Sequence, residues 1–208
     1  SAGRIEPDGV INQGITSSLM RGTVMRIICA ILCFAAGLCL AGPGKSSDLV
    51  FNDLNGVARH PLEPAEKLAS VLIFYEQDCP ISNGYAPEIN RIFASHTNFA
   101  FYIVQVDPDL TPAAASEHAR QFDLHAPVLL DPQHRLVKLL KPTVTPEAGV
   151  FGKNGEVLYR GRIDDLYAEI EKKRGTVTQH NLRDALDAIT AGQPVKQKET
   201  KPIGCLIQ

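Results

Sequence analysis

The 208-residue chain contains no tryptophan and no large excess of either charge, with 21 basic against 23 acidic side chains. A protein that binds nucleic acid through its surface carries a basic excess, so this balance argues against such a partner. Hydrophobic residues make up 44% of the chain, which is enough for the core of one ordinary domain. The sequence also lacks a Cys-x-x-Cys motif, which excludes a local dithiol site.

No apolar run reaches the roughly 20 residues that a membrane-spanning helix needs. The longest run, 27–40, follows Arg26 and ends before small residues, which is the pattern of a secretory signal. We therefore predict a signal peptide at 25–41, and at 1–24 an upstream extension that is either not translated or disordered. Such a signal would export the protein to the periplasm or the exterior, and its cleavage would leave no stable membrane span. An uncleaved anchor and a misread segment are the alternatives.

Cysteines are few, and three of the five lie inside the predicted signal peptide, at Cys29, Cys33 and Cys39. The mature chain would keep only Cys79 and Cys205. In an oxidising compartment, two remaining cysteines suggest a pair. The six histidines are scattered, and none is spaced with Cys79 as a metal site. We therefore predict neither a metal nor a dissociable cofactor.

Hydrophobic patterning predicts one α/β domain at 48–192, followed by a tail at 193–208. The continuous apolar run 71–75 is typical of a central strand covered on both faces. The predicted elements, in order, are a short hairpin at 49–57, strand 71–75, helix 80–95, strand 99–106, helix 111–122, strand 127–130, a helix directly after Asp131-Pro132, a hairpin of 149–151 with 157–159, and helix 181–190. The central strands should be parallel and the late hairpin antiparallel.

Three features in this order resemble the thioredoxin-fold redoxins of the alkyl hydroperoxide reductase and thiol-specific antioxidant group, in particular an exported bacterial type. They are Cys-Pro-Ile-Ser at 79–82 after an apolar strand, Val-Thr-Pro at 144–146 before a late strand, and the hairpin 150–162. The resemblance covers about 48–189 and implies a thioredoxin-like, mixed central sheet flanked by helices. It also implies a cis-proline that presents the preceding backbone to an incoming chain. The candidate substrate-binding residues are then Pro80, Thr145 and Pro146.

The chain departs from two better-understood redoxin patterns. Dithiol thioredoxins carry a second cysteine where this chain has Ser82. Peroxiredoxins carry threonine or serine three residues before the reactive cysteine, where this chain has Glu76, and an arginine before the late strand, where it has Glu147. A peroxide-binding site of that type is therefore incomplete.

Cys79 is the predicted nucleophile. At a helix N-terminus its sulfur faces unpaired N–H groups and the positive end of the helix dipole, and both favour the thiolate. Ser82, one turn into the helix, is expected to donate a hydrogen bond from its hydroxyl to that sulfur. Glu76 and Asp78 oppose these effects, because nearby negative charge disfavours a thiolate.

Cys205 is the other candidate catalytic cysteine, and three arrangements stay open for it. It resolves an oxidised or mixed-disulfide Cys79, it forms a permanent bridge with Cys79, or it pairs with another molecule. The apolar neighbours of Cys205 predict a tail that docks on the domain. They are Ile203, Leu206 and Ile207.

The predicted function is that of a thiol–disulfide oxidoreductase, redoxin or peroxiredoxin-like, with antioxidant-type thiol chemistry at Cys79. Its partners would be protein thiols, protein disulfides or a peroxide, with an external thiol as reductant. The alternative is a non-catalytic thioredoxin-fold binding module with a structural Cys79–Cys205 disulfide.

Overall fold

The computed structural model describes residues 49–170 and 172–208, so the predicted signal peptide and upstream extension lie outside it. Within this part of the chain the helices are α1 (Pro80–Ser95), α2 (Pro112–Gln121), α3 (Arg135–Leu140) and α4 (Asn181–Thr190). The strands of the same part are β1 (Phe51–Asn52), β2 (Ala58–Arg59), β3 (Ser70–Tyr75), β4 (Ala100–Gln105), β5 (Val128–Leu130), β6 (Val144–Thr145), β7 (Glu147–Phe151), β8 (Val157–Gly161), β9 (Tyr167–Glu169), β10 (Lys172–Lys173) and β11 (Cys205–Leu206). Over these residues, none of the helices has both the length and the apolar character to cross a bilayer.

The main sheet among the described residues has the strand order β5–β4–β3–β7–β8. Strands β3, β4 and β5 are parallel, β7 is antiparallel to β3, and β8 is antiparallel to β7. At the centre of the sheet, Ile73 of β3 pairs with Ile103 of β4 and Ala148 of β7. The predicted mixed sheet, with parallel central strands and an antiparallel late hairpin, is confirmed.

Strand β3 lies at the centre of the core, since all of its side chains are buried. Successive side chains of a strand point to opposite faces of the sheet. Ile73 belongs to a cluster built with α1 and α4, whereas Phe74 belongs to a cluster on the other face, built with α3. Helices therefore cover both faces of β3, as its continuous apolar run predicts.

The helix predicted directly after Asp131-Pro132 begins later, at Arg135. The carboxylate of Asp131 accepts hydrogen bonds from the backbone N–H groups of Arg135, Leu136 and Val137, at 2.6 to 3.1 Å. One side chain thus satisfies three amides of the first helical turn. The intervening residues form a turn outside the helix, and the N-cap residue is His134. The predicted cap position and helix start are therefore wrong, although the Asp131 side chain does bond the first-turn amides.

Two short pairings were not predicted from the sequence. Strands β9 and β10 form an antiparallel pair whose lysines are exposed. Strand β11, in the tail, pairs with β6 rather than with the main sheet. The second pairing matters for function, because it brings the tail to the start of α1.

Candidate active site

Cys79 lies where β3 leads into α1. As the N-cap residue it has an extended backbone, with φ −82° and ψ 111°, and Pro80 occupies the first turn of the helix. Proline is well suited to that position, because an N–H there would have no partner within the helix. The N–H of Ser82 points to Sγ of Cys79 at 3.5 Å, and Cys79 is only 1% exposed. The sulfur is thus at the positive end of α1, as predicted.

The hydroxyl of Ser82 does not make the predicted contact. Ser82 is fully buried, and its Oγ has no hydrogen-bond partner among the described residues. The contact to the sulfur of Cys79 comes from the backbone N–H of Ser82 instead. The prediction of a hydroxyl-to-sulfur hydrogen bond is therefore wrong for this disulfide-bonded form. An N-cap acceptor is reached by the amides of the first turn whatever side chain they carry, proline excepted.

The loop before β7 faces the sulfur. The Thr145–Pro146 peptide bond is cis, as predicted, and Sγ of Cys79 lies 3.1 Å from the carbonyl oxygen of Thr145. Thr145 and Pro146 are both buried, whereas Pro80, adjacent to Cys79, is exposed. Of the three predicted substrate-binding residues, Pro80 therefore directly follows Cys79, and Thr145 and Pro146 belong to the loop whose carbonyl oxygen faces its sulfur.

Cys205 is joined to Cys79 by a disulfide that spans 126 positions of sequence, with the two Cα atoms 6.0 Å apart. Strand β11 runs antiparallel to β6, with Cys205 opposite Thr145 and Leu206 opposite Val144. In this structure Cys205 therefore pairs within the chain rather than with another molecule. A permanent bridge and the oxidised state of a redox cycle both use this same bond.

The tail reaches Cys205 after docking beside β8. The N–H of Thr200 donates to the carbonyl of Arg160 at 3.0 Å. The buried Thr200 hydroxyl lies 2.7 Å from the Tyr159 hydroxyl and accepts from the N–H of Arg162 at 3.0 Å. Gly161, with φ 136°, makes room for this contact, since a Cβ there would collide with the backbone of Thr200. The predicted docking of the tail is confirmed at this anchor.

A half-buried carboxyl lies next to the cis-proline loop. Burial raises the pKa of Glu76, and the nearby carboxylates of Asp107 and Asp78 add to that effect. The hydrogen bond from the Thr145 hydroxyl, at 3.4 Å, acts in the opposite direction and lowers this pKa. Glu76 therefore does more than add negative charge near Cys79, because it also contacts the loop that faces the sulfur.

Two residues of the site were not found from the sequence. Thr200 anchors the tail, and nothing in the sequence around it signals a buried hydroxyl. Gly204 packs on the backbone of Thr145, and its only sequence signal is a glycine directly before a cysteine. Over residues 49–170 and 172–208, no group of three His, Cys, Asp or Glu side chains is arranged to hold a metal ion.

The sheet order, the cysteine at the start of α1 and the cis-proline opposite it define a thioredoxin-like domain with a cysteine pair. Among curated proteins, the chain is similar to the thiol-disulfide oxidoreductase ResA of Bacillus thuringiensis subsp. konkukian (strain 97-27). The two are 25% identical over 175 residues, which cover 79% of this chain and 94% of ResA. No family model matches the chain.

Solved structures support the fold. An uncharacterized conserved protein from Geobacillus kaustophilus superposes with a TM-score of 0.65 at 23% identity, over 77% of this chain and 87% of that one. A hypothetical protein from Sinorhizobium meliloti 1021 gives a TM-score of 0.65 at 22% identity, over 78% of this chain and 91% of that one. The predicted thioredoxin-like α/β fold is confirmed.

Proposed function

We propose that the protein is a thiol–disulfide oxidoreductase in which Cys79 and Cys205 cycle between dithiol and disulfide. The observation that carries the proposal is the bond itself, which joins a helix-start cysteine to a tail cysteine across a cis-proline loop. The similarity to ResA, a thiol-disulfide oxidoreductase by name, supports the same chemistry.

Cys79 is the nucleophile of the reduced protein. The Ser82 N–H and the dipole of α1 stabilise the negative charge of its thiolate. The thiolate attacks one sulfur of a partner disulfide and forms a mixed disulfide, and the other partner sulfur leaves as a thiolate that takes up a proton. Thr145 and Pro146, on the opposite side of the sulfur, are the residues that would hold the partner backbone.

Cys205 completes the reaction. Its thiolate attacks Sγ of Cys79 and forms the bridge seen in the structure, and the partner cysteine leaves as a thiolate that takes up a proton. The partner gains two electrons and two protons, and the dithiol loses them. An external thiol reductant then returns Cys79 and Cys205 to the reduced state, with no dissociable cofactor.

A polypeptide disulfide fits the site better than a peroxide as the oxidant. The surroundings of the sulfur on the loop side are the peptide backbone of Thr145 and the edge of β6. Such an edge pairs with an extended chain through main-chain hydrogen bonds. The resemblance to antioxidant redoxins keeps a peroxide as the second candidate oxidant, which would convert Cys79 to a sulfenic acid that Cys205 resolves.

The alternative is a binding module with a permanent bridge. Equilibration of the purified protein in glutathione buffers, followed by thiol trapping and mass spectrometry, separates the two. A redox-active pair is reduced within the range of these buffers, and the reduced protein then reduces a model protein disulfide. A bridge that resists native reduction, as structural disulfides do, or a reduced protein without activity, would contradict the oxidoreductase.

Export remains part of the proposal. Disulfides persist in oxidising compartments, which agrees with a signal peptide at 25–41 and a mature protein in the periplasm or outside the cell. N-terminal sequencing of the protein from the producing cell, compared between cellular fractions, tests this. A mature chain that retains 25–41 in the cytoplasm would contradict it.

A further inference from the structure

The tail of the protein adds a strand to the edge that faces the reactive sulfur. Cys205 and Leu206 pair antiparallel with Thr145 and Val144, and the cysteine of this added strand bonds Cys79. Strand addition of this kind is a general way in which a sheet edge binds an extended peptide. The tail therefore shows how a cysteine-containing chain lies at this edge when it is bonded to Cys79.

The residue before that cysteine meets a strict steric limit. A Cβ on Gly204 would lie 2.7 Å from the carbonyl carbon and 3.2 Å from the nitrogen of the cis peptide bond, and closer still to the Thr145 carbonyl oxygen. All three atoms are backbone atoms of a buried loop whose own position is fixed by β7. They cannot move aside like the end of a flexible side chain, so a side chain at this position forces the strand away from the edge.

The residues on either side of this glycine and cysteine meet much weaker limits. Leu206 is 75% exposed, and Ile203 and Ile207 are only partly buried. The paired segment is two residues long. Selectivity at this edge is therefore concentrated at the position before the cysteine.

We propose that this edge is a peptide-binding site selective for glycine directly before the reacting cysteine, and that the tail occupies it as an intramolecular stand-in for the partner. The proposal rests on the oxidoreductase function and names its substrate class, an extended protein segment that contains Gly-Cys. Reduction of the Cys79–Cys205 bond frees the edge, and a partner then binds in the register of the tail.

The test uses the full chain with Cys205→Ser and with Cys29, Cys33 and Cys39 also replaced by serine, which leaves Cys79 as the one remaining thiol of the sequence. Two hexapeptides, Pro-Ile-Gly-Cys-Leu-Ile and Pro-Ile-Ala-Cys-Leu-Ile, each carry their cysteine as a disulfide with 5-thio-2-nitrobenzoate. The Cys79 thiolate attacks the peptide sulfur, and the coloured aromatic thiolate leaves with the electron pair. The symmetrical aromatic disulfide serves as the probe of intrinsic reactivity. We expect the glycine peptide to react roughly ten-fold faster or more than the alanine peptide.

The outcomes separate the two proposals. Similar rates for the two peptides, with a normal rate for the aromatic disulfide, would overturn the glycine selectivity and leave the oxidoreductase in place. No reaction of Cys79 with any of the three probes would overturn both.

A second measurement tests the stand-in within the chain. Gly204→Ala should lower the equilibrium constant for closing the Cys79–Cys205 bridge in glutathione buffer by roughly ten-fold. Gly175→Ala is the matched control, because a Cβ at Gly175 meets no atom within 4 Å. Equal bridge stability in the two variants would contradict the proposed close approach.

Discussion

The two halves of the disulfide are held in very different ways. Cys79 follows a strand that is buried along its whole length and begins a helix of 16 residues. Cys205 lies in a strand of two residues, beside a leucine that is 75% exposed. One sulfur belongs to the core of the sheet. The other belongs to a tail that is anchored at the buried Thr200 and packs the half-buried Ile203 and Ile207 against the core.

This difference in support matches the different roles proposed for the two cysteines. A nucleophile needs a fixed position relative to the helix dipole and the cis-proline loop, and the core around Cys79 provides one. A resolving thiol must approach the nucleophile and separate from it again. Segments with few buried contacts do this most easily, because they open at the lowest free-energy cost. The predictions below test that contrast, from the largest expected effect to the smallest.

The largest effect is expected from the cysteines themselves. Cys79→Ser should abolish disulfide exchange, because no other sulfur lies at the start of α1. Cys205→Ser should retain the first attack and accumulate the mixed disulfide with the partner, because the resolving thiolate is missing. Mass spectrometry of each variant after mixing with a partner disulfide measures both. If pre-reduced Cys205→Ser releases both partner thiols in a single turnover as fast as the pre-reduced wild type, with no external thiol present, the tail has no resolving role.

Truncations in the core and in the tail should differ strongly in their effect on stability. Ile73→Ala removes a fully buried side chain at the centre of the sheet and should lower the free energy of unfolding by about 2–5 kcal/mol. Leu206→Ala, in the paired strand of the tail, should change it by no more than about 0.5 kcal/mol, since the leucine is mostly exposed. Urea denaturation of the oxidised variants measures both values. A large loss in Leu206→Ala would mean that the tail is part of the core.

The contrast between the surroundings of Cys79 and the tail around Cys205 also explains which parts of the site could be predicted from the sequence. The half around Cys79 is encoded locally: an apolar run gives β3, a proline after the cysteine begins α1, and Thr-Pro before the late strand marks the cis bond. The pairing of β11 with β6 depends on contacts between segments far apart in sequence and on the missing side chain of Gly204, so no local pattern signals it. The orientation of the Ser82 hydroxyl also escaped prediction, because a rotamer is chosen by packing.

An intermediate effect is expected at the anchor of the tail. Thr200→Ala removes the hydroxyl that contacts Tyr159 and accepts from the Arg162 N–H. The buried groups left without this partner should lower the free energy of unfolding by about 1–3 kcal/mol. Thr176→Ala, at an exposed threonine, is the control and should stay within about 0.5 kcal/mol of the wild type. Equal stability of the two variants would show that Thr200 does not anchor the tail.

The smallest effect is expected at Glu76, on the fixed side of the site. Burial raises its pKa, so the folded state favours the protonated carboxyl. The stabilising contribution is fully present below the ordinary unfolded pKa of about 4.3 and is lost as the pH rises through the raised folded value. Glu76→Gln keeps a neutral group of the same shape at every pH. It should therefore be stabilising relative to the wild type at pH 7 and nearly neutral at pH 4.

The size of this gain should stay below about 1 kcal/mol, because water still reaches the half-buried carboxylate and screens it. Thermal unfolding of the oxidised proteins at several pH values between about 4 and 7 measures it. Glu66→Gln, at an exposed glutamate, is the control and should follow the wild-type profile. If Glu76→Gln is instead destabilised most at pH 7, the ionised carboxylate stabilises the Thr145 loop through its hydrogen bond. The pKa of Glu76 would then be lowered rather than raised, and its carboxylate would help to hold the loop against Cys79.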